Sequence, residues 1–310
     1  MIRQYHSNGK LLLTGEYLVL KGAEALALPL KKGQTLQVEP LYDHNRLVWR
    51  STYNGHIFFQ AVFSIDRFSI LQTNNQELAR FLQKLLQKAL NYIPSFIRKT
   101  GYFIEASLGF PLEWGLGSSS TLISNLAEWL DINPFLLNRD ITNGSGYDIA
   151  CARSNRPIIY QSFDNTPQYR EIDFYLPFQD QIYFVYTGKK QRSKQEVQRF
   201  LAKPGSYEYL FNRIHQINQR ILTSSRLKEF EQALNDHEAI LSGVLDAPTM
   251  QEKYFKDFPG TIKSLGAWGG DFILVTWAGT RSQLKDYFKA HNMDVIFSWD
   301  ELIKNKQYAG

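Results

Sequence analysis

The sequence is short of cysteine and of long apolar runs, and each shortage excludes a class of protein. Cys151 is the single cysteine, so an internal disulfide and a zinc site built from several cysteines are excluded. The apolar runs are far shorter than the ~20 residues of a membrane-spanning helix. The first residues also lack the apolar region of a signal peptide. We therefore expect a cytoplasmic protein without a membrane partner.

Two common phosphate-binding signatures are missing as well. The Gly-Lys pairs at 9–10 and 188–189 are followed by Leu11 and Lys190, whereas a Walker A loop needs Ser or Thr there. No Gly-x-Gly-x-x-Gly opens a helix after a strand, which excludes the usual dinucleotide-binding turn. A nucleotide site in this chain must therefore be of another kind.

The composition is that of a globular chain with a mild positive charge. With 310 residues, 44% of them apolar and 21% charged, the chain is long enough for a large core and for about two domains. The net charge of +5 suits a nucleic-acid binder or an enzyme with polyanionic ligands. Positive charge is densest at Lys189, Lys190, Arg192, Lys194, Arg199 and Lys203. Aromatic residues are not interleaved there in the way that a single-strand-binding platform needs, so a solvated helix face is favoured over a wall that faces a substrate phosphate, and nucleic acid comes last.

The most informative stretch is Pro-Leu-Glu-Trp-Gly-Leu-Gly-Ser-Ser-Ser at 111–120. Gly115 and Gly117 allow positive φ and a close approach of the backbone to a ligand. Ser118 or Ser119 is expected as the N-cap of a helix whose unpaired N–H groups and dipole favour an anion. Four apolar residues fall on one face of that helix: Leu122, Ile123, Leu126 and Leu130. The segment predicts a phosphate cradle, and the alternative is a glycine turn before a capped helix.

The rest of the chain alternates between strand and helix patterns. Helices are predicted at 76–92, at 193–245 with breaks near 203–205 and 223–225, and at 282–290. Strands are predicted at 10–13, 17–20, 23–30, 35–38, 46–49, 57–63, 101–108, 156–161, 181–186, 272–277 and 295–299. The polar, proline-containing stretch at 164–168 favours a domain boundary within 162–180.

Four segments, in order, resemble the motifs of the GHMP kinases, the family of galactokinase and of homoserine, mevalonate and phosphomevalonate kinases. The first is Gly-Lys-Leu-Leu-Leu-Thr-Gly-Glu-Tyr at 9–17, and the second is 111–120. Gly-Ser-Gly-Tyr-Asp at 144–148 resembles the Ser-Gly-x-Asp segment of mevalonate-type members. Gly-Ala-Trp-Gly-Gly-Asp at 266–271 is similar to the third family motif. The resemblance covers nearly the whole chain.

The resemblance implies an α+β, two-domain GHMP kinase fold. Residues 1–170 would form an N-terminal ribosomal-protein-S5-domain-2-like α/β domain with the phosphate-binding loop, and residues 171–310 a C-terminal ferredoxin-like α/β domain. It also implies a cytoplasmic kinase that uses ATP and Mg²⁺ and acts on a small-molecule acceptor. Neither nucleic acid nor a membrane is expected as a partner, and the enzyme would be a monomer or a homodimer.

The family match assigns roles to residues of the four segments. The nucleotide would be bound by Pro111, Gly115, Leu116, Gly117, Ser118, Ser119 and Ser120. Ser119 would lie nearest to magnesium. Asp148 would be the carboxylate beside the acceptor hydroxyl, as a base or an orienting group, and Lys10 would lie close to it. Substrate contacts are expected from Glu16, Tyr17, Ser145, Gly146, Lys189, Gly266, Gly269 and Gly270.

Several positions depart from the family pattern. Many relatives carry an additional helix after the cradle helix, with a glutamate that completes the magnesium site. Here residues 132–147 contain Asp140 as their single acid, although phosphates, water and one hydroxyl can still hold magnesium. Trp268 replaces a small residue and would either press on the nucleotide or pack. The pair His237-Glu238 lacks a second histidine at helical spacing and is interpreted as a helix face.

Details of the sequence favour phosphomevalonate over mevalonate as the acceptor. Tyr17 stands where mevalonate kinases usually have histidine, and Tyr-Thr-Gly at 186–188 with Ser193 is similar to the phosphomevalonate type. A second phosphate would meet the basic side chains of Lys189, Lys190 and Arg192.

Two alternatives to a kinase remain open. One is an ATP-dependent diphosphomevalonate decarboxylase-like enzyme. The other is a non-catalytic nucleotide- or metabolite-binding homologue, which the missing glutamate favours. The presence of Lys10 and Asp148 opposes the second alternative, because a sensor needs no acceptor chemistry.

Overall fold

The computed structural model describes residues 1–42, 45–93, 100–142, 144–164, 166–189, 193–203, 205–266 and 268–305, without the side chains of residues 193–195. The chain forms two compact units that are discontinuous in sequence. The first unit contains Met1–Gly9, Lys32–Leu112 and Leu116–Arg153. The second unit contains Lys10–Lys31, Glu113–Gly115 and Ser154–Gly310.

Strands and helices alternate along the described chain. The strands are β1 (Arg3–Thr14), β2 (Ala25–Leu41), β3 (Arg46–Tyr53), β4 (His56–Ser64), β5 (Ile70–Thr73), β6 (Gly101–Leu108), β7 (Ile158–Phe163), β8 (Thr166–Glu171), β9 (Ile182–Tyr186), β10 (Ile262–Leu265), β11 (Phe272–Thr276) and β12 (Ile296–Ser298). The helices are α1 (Gln76–Ala89), α2 (Ser118–Leu130), α3 (Pro134–Ile141), α4 (Tyr147–Arg153), α5 (Ser193–Ala202), α6 (Glu208–Thr223), α7 (Leu227–Leu245), α8 (Met250–Tyr254), α9 (Arg281–Ala290) and α10 (Trp299–Leu302). None of the helices in the described ranges combines the length and the apolar character that crossing a membrane requires.

The first unit is a mixed sheet covered by helices. Its strand order is β5-β4-β3-β6-β2, and β1 pairs with β2. The β3–β6 pair is parallel, whereas the β4 and β2 pairings are antiparallel. The apolar faces of α1 and α2 pack on this sheet, where Leu86, Leu126 and Trp49 are buried in one cluster. Because α3 and α4 contact α2, they complete the helical layer of this unit.

The second unit is built around an antiparallel sheet with the strand order β10-β11-β9-β12. Its apolar core contains Val185 and Ile273 from the sheet and Phe255 and Phe288 from segments that cover it. A second strand group of the same unit consists of the first part of β2, with β7 and β8 beside it. Helices α6 and α7 pack against each other.

Most predicted elements are present, but the strand predicted at 17–20 is wrong. The chain forms a 3₁₀ turn at Leu18–Lys21 instead. Gly15 has a φ of 86° and Tyr17 a φ of 61°, which turns the chain out of β1. The N–H of Val19 then donates to the carbonyl of Gly15 at 2.9 Å and closes a helical turn. Alternation of apolar residues alone does not reveal this turn, because its cause is the left-handed backbone at two positions.

Candidate active site

The glycine–serine segment leads directly into α2, as the sequence predicts, but the cap residue differs. Gly117 is the N-cap with a φ of 97°, and no side chain caps the helix. The expectation of Ser118 or Ser119 as N-cap is therefore wrong, since α2 already begins at Ser118 and the N–H of Thr121 donates to Gly117 O at 2.9 Å. A glycine cap leaves the first N–H groups of the helix without a competing side-chain oxygen, which suits an anionic ligand.

The three serines at the start of α2 differ in exposure and in partners. Ser120 is buried, and its hydroxyl donates to Gly117 O at 2.9 Å. Ser118 is half-buried and Ser119 is exposed. Ser119 is thus the serine that offers its hydroxyl most openly to a ligand. Leu116 is fully buried and fixes the loop in the first unit.

A buried polar chain anchors α2, and sequence reasoning missed it. Thr121 Oγ1 donates to Gln34 Oε1 at 2.8 Å, and Asn125 Nδ2 donates to the backbone oxygen of Gln34 at 2.9 Å. Ser7 Oγ donates to Asn125 Oδ1 at 2.7 Å. The available signal was that Thr121 and Asn125, four positions apart, share one face of the helix.

Asp148 lies on α4, which packs against α2 within the first unit. Gly146 precedes α4 with a φ of 92°, and its carbonyl accepts from the N–H groups of Ile149 and Ala150. Asp148 Oδ1 accepts from the N–H of Ile149 at 3.0 Å, and the side chain is half-buried. Ser145 is half-buried and Gly146 is buried beside it. The first unit therefore brings Asp148 and the serine end of the cradle onto two adjacent helices.

Lys10 reaches the glycine part of the cradle within the second unit. Its Nζ donates to Gly115 O at 2.9 Å, and the two residues lie 105 positions apart in sequence. Gly115 has a φ of 67°, and a Cβ placed there would lie 1.9 Å from Asp271 Oδ2. Trp114 packs on Tyr186 with ring centroids 5.8 Å apart and so holds the loop in place. The expectation that Lys10 lies close to Asp148 stays a prediction, because these residues belong to different units.

Glu16 belongs to a buried charged group that the sequence did not reveal. Lys263 Nζ lies 2.7 Å from Glu16 Oε1 and 3.5 Å from Glu238 Oε1. Glu16 is 2% exposed, Glu238 3% and Lys263 0%. Burial raises the pKa of Glu16 to about 7 despite the lowering effect of Lys263. Burial likewise raises the pKa of Glu238.

His237 lies on α7, in agreement with its interpretation as a helix-face residue, and it is buried with this group. Its Nε2 accepts the N–H of Gly15 at 2.9 Å. Burial, followed by the charge of Lys263, lowers the pKa of His237 well below its usual range. The imidazole is therefore neutral, and its contact of 3.4 Å with Glu16 Oε2 is not an ion pair. Its role here is to bind the turn at the end of β1.

The third glycine segment packs against the same turn. The N–H of Trp268 donates to Tyr17 Oη at 2.7 Å, and its indole N–H donates to Pro248 O at 3.1 Å. These two hydrogen bonds hold Trp268 within the second unit, and a contact between Trp268 and the nucleotide stays a prediction. Gly266 and Gly269 both have a φ of 80°. Gly270 O accepts from Thr187 Oγ1 at 2.9 Å, which ties the segment to the end of β9.

The basic segment is described only in part. Lys189 is exposed, with its Nζ 5.1 Å from the ring centroid of Tyr254. Lys190 and Arg192 lie outside the described residues, as does Ala267 of the third motif. Across the described ranges, no group of three or more His, Cys, Asp or Glu is arranged to hold a metal ion. The roles of Lys189, Glu16, Tyr17 and the glycines in substrate binding stay predictions.

Comparison with known proteins connects this geometry to a fold. No family model matches the sequence, and no curated protein matches it. Among solved structures, phosphomevalonate kinase of Streptococcus pneumoniae, in complex with phosphomevalonate and AMPPNP, aligns with a TM-score of 0.70 at 15% identity over 96% of this chain and 99% of that chain. Mevalonate kinase of L. major, in complex with R-mevalonate, aligns with a TM-score of 0.69 at 16% identity over 99% of this chain and 97% of that chain.

A third solved structure extends the likeness beyond mevalonate-type proteins. Galactokinase of Lactococcus lactis, complexed with galactose, aligns with a TM-score of 0.69 at 16% identity over 94% of this chain and 88% of that chain. The likeness spans almost the full length of all three proteins. The chain therefore has the GHMP kinase fold, as the four motifs led us to expect, while its acceptor is a separate question.

Proposed function

We propose that this chain is an ATP-dependent small-molecule kinase that transfers the γ-phosphate of ATP to an alcohol or phosphate acceptor. The observation that carries the proposal is the bond of 2.9 Å from Lys10 Nζ to Gly115 O. It holds a cation at the glycine loop, and phosphoryl transfer asks the protein mainly for positioning and charge stabilisation. The full-length likeness to solved kinases of three different acceptors supports the same reaction class.

The start of α2, Lys10 and Asp148 have separate tasks in the proposed reaction. The N–H groups at the start of α2 bind the phosphates, and Lys10 offsets charge on the transferring oxygens. Asp148 binds the acceptor hydroxyl. With an alcohol acceptor, the hydroxyl proton passes to Asp148 while the oxygen bonds to the γ-phosphorus and the bond to the ADP oxygen breaks. A phosphate acceptor needs no base, and Asp148 then orients the acceptor through a neighbouring hydroxyl.

Magnesium fits this donor set through Ser119. The exposed hydroxyl of Ser119 stands at the first turn of α2, and a hard cation completes its oxygen ligands from phosphates and water. Bound magnesium would neutralise charge on the phosphates. Helix α3 follows the cradle helix here and contains Asp140 but no glutamate. Asp140 accepts from the Tyr92 hydroxyl at 3.1 Å, so we assign it no metal role.

Among acceptors, we favour phosphomevalonate, with mevalonate second. Tyr17 and the exposed cation of Lys189 support this order, and a solved relative in fold was crystallised with phosphomevalonate. We further propose a cytoplasmic enzyme that works as a monomer or homodimer.

A panel of acceptors tests the proposed reaction. The full chain is incubated with ATP, Mg²⁺ and mevalonate, phosphomevalonate, diphosphomevalonate, galactose or homoserine, and ADP and CO₂ release are followed. We expect the highest kcat/KM with phosphomevalonate and no CO₂. Release of CO₂ with diphosphomevalonate would favour the decarboxylase alternative. Measurable ATP binding without ADP release above background would contradict the kinase and favour a non-catalytic homologue.

The Asp148→Asn variant tests the assigned carboxylate. We expect at least about a hundredfold lower kcat with mevalonate, an alcohol acceptor, because an amide cannot take the hydroxyl proton and binds a hydroxyl differently. Asp131→Asn is the matched control. Asp131 is exposed at the end of α2 with a φ of 54°, which asparagine also tolerates. Equal rates for both variants would remove Asp148 from the mechanism.

A further inference from the structure

The end of β1, which carries Lys10, is held by an unusual number of buried polar contacts in the second unit. Thr14 Oγ1 donates to Asn218 Oδ1 of α6 at 2.5 Å. The N–H of Gly15 donates to His237 of α7, and Glu16 accepts from Lys263 of β10. Three separate elements thus bind three consecutive residues. All of these side chains are buried.

Stability does not require this arrangement. Removing an ammonium and carboxylates from water costs several kcal/mol per ion, and an apolar cluster of equal volume is often as stable. One ammonium faces two carboxylates here, since Lys263 contacts both Glu16 and Glu238. The neutral imidazole of His237 adds no positive charge. The network instead fixes the position of the turn, because each hydrogen bond holds one atom of the turn in place.

The contacts of Lys263 show how it can act through the turn. Its Nζ donates to Glu16 and also to the carbonyl of Ser264 at 2.8 Å. The N–H of Ser264 in turn donates to Glu238 Oε2 at 3.3 Å. The ammonium is therefore held by β10 itself as well as by Glu16. Because β1 is an extended strand paired with β2, a displacement at Thr14 moves Lys10, about 13 Å away along the strand.

We propose that Lys263 is a positioning residue, whose buried ammonium fixes Glu16 and, through the turn at Gly15–Tyr17, fixes the strand that presents Lys10 to Gly115. Its effect on phosphoryl transfer rests on the proposed kinase function. Its effect on the turn does not, so the two can be tested apart. Glu16 is then a link in the network, in addition to the substrate contact expected for it.

Two variants test this inference. Lys263→Met removes the ammonium, and Lys263→Met/Glu16→Gln also replaces one of the two carboxyl groups that lose their partner in the first variant, so that fewer ionisable groups stay buried without a partner. The matched control is Lys203→Met. Lys203 also donates to backbone carbonyls of the second unit, but these belong to Val244 and Leu245 at the end of α7 and not to the turn after β1.

Two measurements are made on each full-length variant. Amide exchange reports the Gly15 N–H, and steady-state kinetics with the best acceptor separates kcat from the KM for ATP. We expect both Lys263 variants to exchange the Gly15 amide at least about tenfold faster and to lose at least about tenfold in kcat with KM within twofold. The control should change neither.

The outcomes separate the two proposals. Faster exchange at Gly15 with an unchanged kcat would reduce Lys263 to a structural residue and overturn the positioning role. Unchanged exchange in both variants would overturn the inference altogether. If the wild-type chain transfers no phosphate to any acceptor, the kinase fails, while the exchange data still decide whether Lys263 holds the turn.

Discussion

Gly115 shows at the scale of one residue why this loop position is restricted to glycine. Its φ of 67° is in the left-handed region, and the carboxylate of Asp271 occupies the space that a Cβ would need. Its carbonyl is also the acceptor of Lys10 Nζ. A larger residue would therefore disturb the backbone at the point where the lysine binds. Sequence reasoning assigned Gly115 to phosphate contact, but the role of Asp271 in requiring glycine is visible only in the structure.

The Gly115→Ala variant should lose activity for this steric reason. The added methyl would lie 1.9 Å from Asp271 Oδ2, so the loop or Asp271 must move. We expect kcat to fall at least about tenfold and stability to fall by about 1–3 kcal/mol. Gly55→Ala is the control, because Gly55 has a φ of 78° but nothing within 4 Å of the added methyl. If both variants keep full activity, the close approach of Asp271 to the loop is not needed for activity.

Residues whose partners lie far away in sequence are the ones that sequence reasoning missed. Glu16 and Lys263 are 247 positions apart, and nothing near Glu16 in sequence indicates an ion pair. The sequence around Lys263 gave no clear signal either, since β10 reads Ile-Lys-Ser-Leu and two of its four residues are polar. Gly115 and Asp148, by contrast, were identified by motifs that are local in sequence.

At the scale of an element, α2 has two tasks that lie on different residues. Its apolar face packs on the sheet of the first unit, and its first turn presents the cradle. The buried chain through Thr121 and Asn125 sets the position of that first turn relative to β2. Apolar packing alone permits sliding along the sheet, whereas hydrogen bonds to Gln34 fix one register.

The Asn125→Ala variant should separate these tasks. It leaves the carbonyl of Gln34 and the hydroxyl of Ser7 without their Asn125 partner in a buried site, so we expect a loss of about 2–4 kcal/mol in urea unfolding. Ser119→Ala is the comparison on the same helix. Because Ser119 is exposed, the free energy of unfolding of this variant should stay within about 0.5 kcal/mol of the wild-type value, while the affinity for Mg²⁺–ATP falls. Equal stability of the two variants would contradict the anchoring role.

Helices with a clear apolar period were the most predictable elements. Helix α1 begins at the predicted residue, with the Asn75 side chain accepting from Leu78 N, and ends at Ala89, slightly before the predicted end. The stretch after α2 was harder to interpret. Relatives were expected to differ there by an additional helix, yet α3 is present with Asn133 as its cap. A missing glutamate in a sequence therefore does not indicate a missing helix.

At the scale of the whole chain, a single boundary cannot describe the units that the contacts define. The second unit takes Lys10–Lys31 and Glu113–Gly115 from the first half of the sequence. Composition marks linkers, but it carries no information on which strand pairs with which. The proposed division at residue 170 relies on sequence information of this kind, and it stays a prediction. The fold itself was predictable, since the order of four motifs along the chain identified it before any contact was known.

Stability of the whole chain should depend on pH through Glu16. Its pKa rises from 4.5 to about 7 in the folded chain, chiefly through burial. Between those values the folded chain holds a proton that the unfolded chain has released. Stability falls with rising pH wherever the folded state binds more protons. The contribution of Glu16 is therefore fully present below 4.5 and is lost as the pH rises through about 7.

Urea unfolding of the wild type and of Glu16→Gln between pH 5 and 8.5 tests this dependence. The amide keeps the shape of the protonated carboxyl but cannot ionise, so the wild type should lose stability relative to this variant as the pH rises, with the change levelling off above about pH 7. Glu39→Gln is the control, because Glu39 is exposed on β2 and should retain the wild-type profile. Parallel profiles for the wild type and Glu16→Gln would show that Glu16 is already ionised throughout this range. The lowering effect of Lys263 on the pKa of Glu16 would then exceed the raising effect of burial, the opposite of what we expect for this group.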